Sequence, residues 1–288
     1  MIVVTGATGQ LGRAVVKQLV RRRGPSEVGV SVRSRAKAAD LEALGVRVRQ
    51  GDFDNPASLR HAFEGATQVL IVSSNARAIG GDPLSQHRSA IDAARAVGAT
   101  RVVYTSHMAV SETSAFPPML DHFATERMLE ESGLQWTALR NGFYASSGIA
   151  MMGNAFETGL LEAPADGAVS WTAHDDLAES AAIILASDGQ YDGPTPPLTG
   201  SYALDFADLA AMASDARDTP LSRVTITDEA LRRKVVARGA PERAADIVLG
   251  FFIASRNGEF AAVDPALKQL IGRPPITMHA IITEKASR

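Results

Sequence analysis

The sequence predicts an α/β fold built on a doubly wound parallel sheet, with a smaller, mostly helical C-terminal lobe. Short apolar segments alternate with amphipathic helical segments through the first half of the chain, which is typical of a parallel sheet covered on both faces. The first strand, 2–5, leads directly into a glycine-rich turn and then a helix that carries Leu11, Val15 and Leu19 on one face. Strand, glycine turn and helix in this order are typical of a Rossmann-type fold.

The alternation sets the predicted elements of the first half. The predicted strands are 2–5, 28–32, 46–49, 69–73, 102–105 and 136–139, and the predicted helices are 10–22, 36–44, 56–64, 85–98 and 120–132. Asn55 and Pro56 are suited to cap and begin the third helix. Glycines follow the helices where C-terminal glycines belong, at Gly45, Gly65, Gly98 and Gly133.

After about residue 140 the pattern changes. A helix is expected from Asp175 to about Ser187, then a strand at 201–204 and helices at 206–215, 228–238, 241–256 and 264–271. We therefore expect a Rossmann domain at 1–145, to which later segments return, and a smaller lobe at 146–288 interleaved with it.

Composition excludes several classes of function. The 288 residues are 45% hydrophobic and 21% charged, with a net charge of −3, so a basic surface for nucleic acid is not expected. The absence of cysteine excludes disulfides, thiolate metal sites and a cysteine nucleophile. The first strand leaves no room for a signal peptide, and the apolar stretch 247–254 is too short to span a bilayer. A cytoplasmic protein without a metal site or membrane partner is expected, and a homodimer stays open.

The turn Gly6-Ala7-Thr8-Gly9-Gln10-Leu11-Gly12 predicts a dinucleotide site. Gly6 permits the sharp turn, Gly9 permits close approach of a pyrophosphate, and Gly12 permits close packing of helix and strand. The amides at the start of the helix would then face the phosphates, with the helix dipole behind them.

The end of the second strand favours NADPH over NADH. The acidic residue that bonds the ribose diol in NAD sites is replaced by Arg33, which suits a 2′-phosphate. Arg35 or Lys37 would assist, and the alternative is that Arg33 is a solvated surface residue. Asp52 and Phe53 follow the third strand, where adenine would lie, although Asp52 is equally suited to cap the helix that begins near Asn55.

The catalytic pair Tyr-x-x-x-Lys, which short-chain dehydrogenases with this fold normally use, is absent. Each of the four tyrosines lacks a lysine four positions later, and no lysine occurs between Lys37 and Lys234. Because the lysine would lower the pKa of the phenol, alcohol dehydrogenation by that route is not expected. A quinone needs no strong acid, because hydride addition gives a delocalised hydroquinone anion. Positioning of nicotinamide beside acceptor would supply most of the catalysis.

Motifs along the whole chain resemble those of the NmrA-like atypical short-chain dehydrogenases, in particular the NADPH:quinone oxidoreductases of type 2 and triphenylmethane dye reductases. The most particular is Leu-Arg-Asn-Gly-x-Tyr at 139–144. The other matching segments are 5–12, 32–33, 48–50, 73–74, 86–88, 104–106, 125–126, 132–133 and 270–272. The resemblance implies an NADPH-binding Rossmann lobe, a cleft for a flat aromatic acceptor, and a branch in which Tyr-x-x-x-Lys is normally missing.

The resemblance also implies the remaining site residues. Ser73, Ser74 and Asn75 would lie beside the ribose and nicotinamide. Residues 137–142, which include Arg140, would pass the nicotinamide, with Asn141 and Gly142 closest. The segment 75–81 is longer and more basic than its counterpart in these relatives, which affects the acceptor pocket.

Three residues are candidates for the chemistry. Asn141 would bond the carboxamide or the acceptor oxygen, and Tyr144 would stack and donate from its hydroxyl. His122 falls near the position that the catalytic tyrosine takes in related dehydrogenases. It is either a proton-donating group in the pocket or a residue on the helix surface. His107 is a pocket candidate at a strand end, whereas His87 is better explained as a buried, hydrogen-bonded core residue.

Three functions stay open at this level. The first is an NADPH-dependent reductase of quinones or similar flat electrophiles. The second is a non-catalytic NmrA-like regulator that binds NADP(H) and acts through a protein partner, since such a sensor would also lack the catalytic pair. The third is a reductase of a specialised aromatic metabolite, which differs only in pocket shape.

Overall fold

The computed structural model describes residues 1–187 and 189–287. The strands in these residues are β1 (Ile2–Thr5), β2 (Val28–Val32), β3 (Arg47–Gln50), β4 (Gln68–Ile71), β5 (Arg101–His107), β6 (Gln135–Asn141), β7 (Phe143–Tyr144), β8 (Leu160–Ala163), β9 (Trp171–Thr172), β10 (Gly193–Pro194) and β11 (Ser222–Thr225). The α-helices are α1 (Gln10–Arg23), α2 (Ala39–Ala43), α3 (Pro56–Phe63), α4 (Pro83–Ala96), α5 (Pro117–Glu130), α6 (Ala145–Met151), α7 (Ala155–Thr158), α8 (His174–Ala186), α9 (Phe206–Arg217), α10 (Asp228–Ala237), α11 (Glu242–Arg256), α12 (Ala266–Ile271) and α13 (Met278–Ala286). Short 3-10 turns cover Pro25–Glu27, Arg35–Ala38 and Ala76–Ile79.

Seven strands form one parallel sheet in the order β10-β6-β5-β4-β1-β2-β3. The chain winds outward from β1 through β2 to β3 and then crosses back to β4, so the strand order reverses between β1 and β4. In open sheets of this kind, ligands bind in the crevice at the carboxyl ends of the strands beside that reversal. The predicted doubly wound Rossmann sheet is confirmed.

Apolar residues cover both faces of the sheet, as parallel strands require. On one face, the core is formed with α1, α8 and α12, and on the other with α3, α4 and α5. Helices α8 and α12 come from the second half of the sequence, so that half returns to pack on the sheet.

A separate aromatic core lies beyond the end of β6. Phe143, Trp171 and Phe251 lie within about 6 Å of one another, with Phe206, Phe252 and Phe260 around them. The Trp171 Nε1 donates to the Leu204 carbonyl at 3.0 Å, so this side chain is held within the second lobe. Phe251 and Phe252 are both buried in this core.

Several predicted elements are corrected. Residues 201–204 do not form a strand: Leu204 makes an isolated bridge to Val169, and the strand that extends the sheet is β10 beside β6. Prolines and glycines around β10 obscured its two-residue pairing in the sequence. The predicted helix 36–44 is a 3-10 turn followed by the short α2. The strands β7, β8, β9 and β11 and the helices α6, α7 and α13 were not predicted.

None of the helices in the described part of the chain has the length and apolar character needed to cross a lipid bilayer.

Candidate active site

The glycine turn forms an anion cradle at the end of β1. Gly6 has φ +60°, which favours glycine, and its carbonyl accepts from the Gly9 amide at 2.9 Å. A Cβ on Gly12 would overlap the Gly6 carbonyl oxygen, so only glycine lets α1 start this close to the strand. Gly9 is the N-cap of α1 and provides no side-chain cap, which leaves the first amides of the helix available to a bound anion.

A cavity of about 630 Å³ opens above this cradle, in the crevice where the strand order reverses. Nine of the predicted cofactor residues line it: Gly6, Thr8, Gly9, Arg33, Asp52, Phe53, Ser73, Ser74 and Asn75. The side chains of Ala7 and Leu11 are instead buried in the core, so these two residues can offer only backbone groups. Gln10 is exposed at the start of α1 and does not line the cavity.

Arg33 lines the cavity and is exposed, and it makes no ion pair within the described residues. Its neighbour Arg35 is committed to Glu42 at 2.8 Å and does not reach the cavity. Arg13 holds the connecting segment in place, because its guanidinium bonds the Lys37 carbonyl at 3.0 Å and also pairs with Asp40. The guanidinium of Arg33 is thus presented at the cavity by a braced loop.

Asp52 does not cap the third helix, so that alternative is wrong. The cap of α3 is Asn55, whose side chain accepts from the Ser58 amide at 3.2 Å. Asp52 lines the cavity, and its Oδ1 accepts from the amide of Asp54 at 3.1 Å.

The loop after β4 is held by side chains from three elements. The amide of Val72 donates to the Thr5 hydroxyl at 2.9 Å, and the amide of Ser73 donates to the Thr105 hydroxyl at 2.8 Å. The amide of Ser74 donates to Nε2 of His87 at 2.9 Å. His87 is buried, and burial lowers its pKa to about 4, so the prediction of a hydrogen-bonded core histidine is confirmed.

Sequence reasoning missed a polar bridge at the cavity. The side-chain Nε2 of Gln86 donates to both carboxylate oxygens of Asp54, at 2.9 and 3.0 Å. The side-chain Oε1 of Gln86 accepts from the Ser74 hydroxyl. This bridge links the loop after β3 to the loop after β4. Its partners are 32 and 12 positions apart, so no local pattern could have identified it.

The end of β6 carries a second group of predicted residues, outside the cavity. Asn141 is buried, and its Oδ1 has no hydrogen-bond partner among the described residues. The amide of Gly142 donates to the Leu198 carbonyl at 2.8 Å. The guanidinium of Arg140 makes two hydrogen bonds to Glu126, one of them at 2.8 Å. The Arg140 side chain therefore ties β6 to α5.

Tyr144 follows directly and packs against the sheet core and the ring of His174, with ring centroids 4.4 Å apart. Burial raises the pKa of Tyr144, and a hydrogen bond from the Asn141 side chain acts in the opposite direction. Tyr144 is therefore a neutral phenol beside a buried amide.

His122 lies against β5, not free on a helix surface. Its Nδ1 is 2.7 Å from the hydroxyl of Tyr104, and its ring stacks on His107 with centroids 6.1 Å apart. His107 is opposite Asn141 in the β5–β6 register, so the two sets of residues adjoin. Burial lowers the pKa of His107 to about 3, and burial with the neighbouring imidazoles lowers the pKa of His122 well below its ordinary value.

These features fit a pyridine dinucleotide. The cradle at Gly6 to Gly12 suits the pyrophosphate, and Arg33 lies at the end of the second strand, where the adenine ribose would be held. The buried, unpartnered Oδ1 of Asn141 suits the amide nitrogen of a nicotinamide carboxamide.

Comparison with known proteins gives the same result. Residues 6–182 match a family described as NAD(P)H-binding. Quinone oxidoreductase 2 of Escherichia coli (strain K12) is 32% identical over 279 residues, which cover 96% of each chain.

Two solved structures are similar over nearly their whole length. The NADPH-dependent quinone oxidoreductase of Escherichia coli complexed with NADPH has a TM-score of 0.90 and 31% identity, with 100% of this chain and 99% of that chain covered. The triphenylmethane reductase of Citrobacter sp. complexed with NADP(H) has a TM-score of 0.89 and 29% identity, with 99% and 100% covered. The chain belongs to the NAD(P)H-binding family, within the group of NmrA-like oxidoreductases that its motifs indicated.

Proposed function

We propose that this NAD(P)H-dependent oxidoreductase uses NADPH to reduce a quinone or a similar flat aromatic electrophile, without a Tyr-x-x-x-Lys pair. NADPH, when bound, supplies the hydride. The observation that carries the proposal is a group of uncharged hydrogen-bonding side chains around the ends of β5 and β6, namely Asn141 of β6, Tyr144 of β7 and His122 of α5. The similarity to a quinone oxidoreductase and a triphenylmethane reductase supports the same class of acceptor.

The cofactor preference follows from charge. Arg33 would pair with the 2′-phosphate that distinguishes NADPH from NADH, while the amides at the start of α1 would bind the pyrophosphate. Ser73, Ser74 and Asn75 line the same cavity, where they would contact the ribose and orient the nicotinamide.

The acceptor would lie against Tyr144, between the nicotinamide and the second lobe. Tyr144 offers a ring for stacking and a neutral hydroxyl as donor. The neutral imidazole of His122 would donate a hydrogen bond to the oxygen on which negative charge develops, as a polarising group and not as a strong acid. Solvent can complete the protonation, because the hydroquinone anion is stabilised by delocalisation.

The test is steady-state reduction of benzoquinone with NADPH. Tyr144→Ala should raise KM for the quinone or lower kcat by about tenfold or more, while the Kd for NADPH changes by less than about twofold. Tyr202→Ala is the matched control, because Tyr202 is 66% exposed and belongs to neither group of site residues. Unchanged kinetics in Tyr144→Ala would place the acceptor elsewhere. If the wild type reduces neither quinones nor dyes but binds NADPH tightly, the chain is a dinucleotide sensor.

A further inference from the structure

Tyr104 is fully buried in β5, and its hydroxyl must therefore find a partner inside the protein. The hydroxyl lies 2.7 Å from Nδ1 of His122, which projects from α5. Tyr104 itself does not line the cavity, and the two rings are tilted with centroids 5.6 Å apart. His122 is only partly buried by its neighbours.

The direction of this hydrogen bond follows from the chemistry of the two groups. Burial raises the pKa of Tyr104 well above its ordinary value and lowers the pKa of His122 well below its own, so both are neutral. A neutral phenol is the better donor and a bare imidazole nitrogen the better acceptor. The phenol therefore donates to Nδ1. Because a neutral imidazole carries one ring hydrogen, that hydrogen is on Nε2.

A neighbouring chain of hydrogen bonds is consistent with this direction. The Ser74 amide donates to Nε2 of His87, so the hydrogen of His87 is on Nδ1, which bonds the Thr125 hydroxyl at 2.8 Å. Thr125 in turn donates to the Asp121 carbonyl at 2.7 Å. The Thr125 hydrogen is thereby used within α5, so the Thr125 hydroxyl, which also lies against that of Tyr104, does not donate to the phenol.

The ring of His122 lies next to His107, at the end of the sheet where the acceptor is proposed to bind. The ring stacks on His107 with an interplanar angle of 27°. His107 is paired with Asn141 in the β5–β6 register, and its ring centroid lies 5.3 Å from that of Phe143. His107 and Asn141 are the last residues of β5 and β6, and such sheets bind their ligands at the carboxyl ends of the strands.

We propose that Tyr104 is a positioning residue that holds His122 in the tautomer with the hydrogen on Nε2, so that His122 offers an N–H donor to the acceptor oxygen. This inference rests on the proposed function for its second half. Tyr104 touches neither cofactor nor acceptor and acts only through His122. The arrangement supplies a fixed donor without an ionised group.

The tautomer is tested first, by nitrogen NMR of protein labelled at histidine, with the His122 signals assigned from the His122→Ala variant. The wild type should show a protonated Nε2 and an unprotonated, hydrogen-bonded Nδ1. Tyr104→Phe should give a mixture of both tautomers, while Tyr202→Phe should match the wild type. A protonated Nδ1 in the wild type would refute the inference, whatever the protein reduces.

The role is tested by a double-mutant cycle. Tyr104→Phe should lower kcat for benzoquinone about 3- to 10-fold, the effect of one neutral hydrogen bond, with the Kd for NADPH unchanged. In the His122→Ala background, the same substitution should have no further effect, because the group it positions is gone. A further loss of similar size in that background would show that Tyr104 acts structurally, and would refute the inference.

The two proposals fail in different ways. If the wild type shows the expected tautomer but reduces no quinone, the proposed function fails and takes the role of the Nε2 hydrogen with it. If quinone reduction is normal in the wild type and unchanged in His122→Ala, the proposed activity stands and the inference about Tyr104 and His122 is refuted.

Discussion

Replacement of Arg33 with alanine gives the sharpest test of how this chain selects its cofactor. The guanidinium is exposed at the cavity and unpaired within the described residues, so a 2′-phosphate would not have to displace an internal carboxylate. NADPH and NADH differ only in that phosphate. The substitution should therefore weaken NADPH binding and leave NADH binding almost unchanged.

The size of the effect follows from exposure. A hydrogen bond to a charged group is worth about 1.5–3 kcal/mol, which corresponds to roughly 10- to 150-fold in Kd. Because Arg33 is exposed to solvent and salt, we expect the lower part of that range, about 10- to 30-fold. Raising the ionic strength from about 0.05 to 0.5 M should narrow the difference between NADPH and NADH in the wild type.

Isothermal titration of each variant with both nucleotides measures the effect. Arg35→Ala is the matched control, since Arg35 has the same charge two positions away but pairs with Glu42 and does not line the cavity. Equal affinity of the wild type for NADPH and NADH would refute the reasoning. Equal losses in Arg33→Ala and Arg35→Ala would show a general charge effect and refute it as well.

Three further predictions follow from the geometry. Gly12→Ala should weaken NADPH binding by at least about tenfold and lower the free energy of unfolding by about 1–3 kcal/mol, because the added Cβ overlaps the Gly6 carbonyl. Titration with NADPH measures the first effect and urea unfolding the second. Unchanged NADPH affinity in this variant would contradict the role of the glycine turn as an anion cradle. Stability should fall as the pH drops below about 6.5 towards 4, because the pKa of His87 is about 4 when folded and its ordinary value is 6.5, so protons bind the unfolded chain more readily. His87→Gln should reduce that loss of stability by up to about 3 kcal/mol, whereas the control His61→Gln, at an exposed site, should not. Urea unfolding at several pH values measures the free energy of unfolding. The same pH dependence in both variants would count against the role given to His87. Phe251→Ala should cost about 3–5 kcal/mol of unfolding free energy and Tyr202→Ala less than about 1; similar costs would mean that the aromatic cluster does not form the core of the second lobe.

The regular part of the fold could be predicted because the local sequence of each element indicates whether it is a strand or a helix. Short segments rich in valine, isoleucine and leucine mark β1, β2 and β4, and the spacing of Leu11, Val15 and Leu19 marks α1. Asn55 and Pro56 mark the beginning of α3, where the cap is observed. For these elements, local propensity and tertiary packing agree.

The second half was harder because its elements depend on distant partners. β10 is two residues long, one of them proline, and exists only because it pairs with Thr137 and Ala138 of β6. β7 pairs with β9 across about 28 positions, and neither has a period to detect. Residues 201–204 look like a strand, but within the described residues their one pairing is an isolated antiparallel bridge from Leu204 to Val169.

The candidate site divides in the same way. Glycine spacing and Arg33 identify the cofactor cavity from local sequence, whereas the bridge from Gln86 to Asp54 and the bond from Tyr104 to His122 join residues that only the fold brings together. Arg140 shows the limit of a motif. The family resemblance implied a cofactor contact for this residue, whereas its guanidinium is held by Glu126 of α5.

The missing lysine and the neutral histidines belong to one chemical argument. A lysine beside a tyrosine serves reactions in which the phenol must lose its proton, whereas burial here raises the pKa of Tyr104 and Tyr144 and lowers that of His107 and His122. These four side chains are uncharged hydrogen-bonding groups at neutral pH. Such donors can stabilise an oxyanion that is already delocalised, but they cannot deprotonate an alcohol. The burial of these side chains therefore favours reduction of a conjugated acceptor over oxidation of an alcohol.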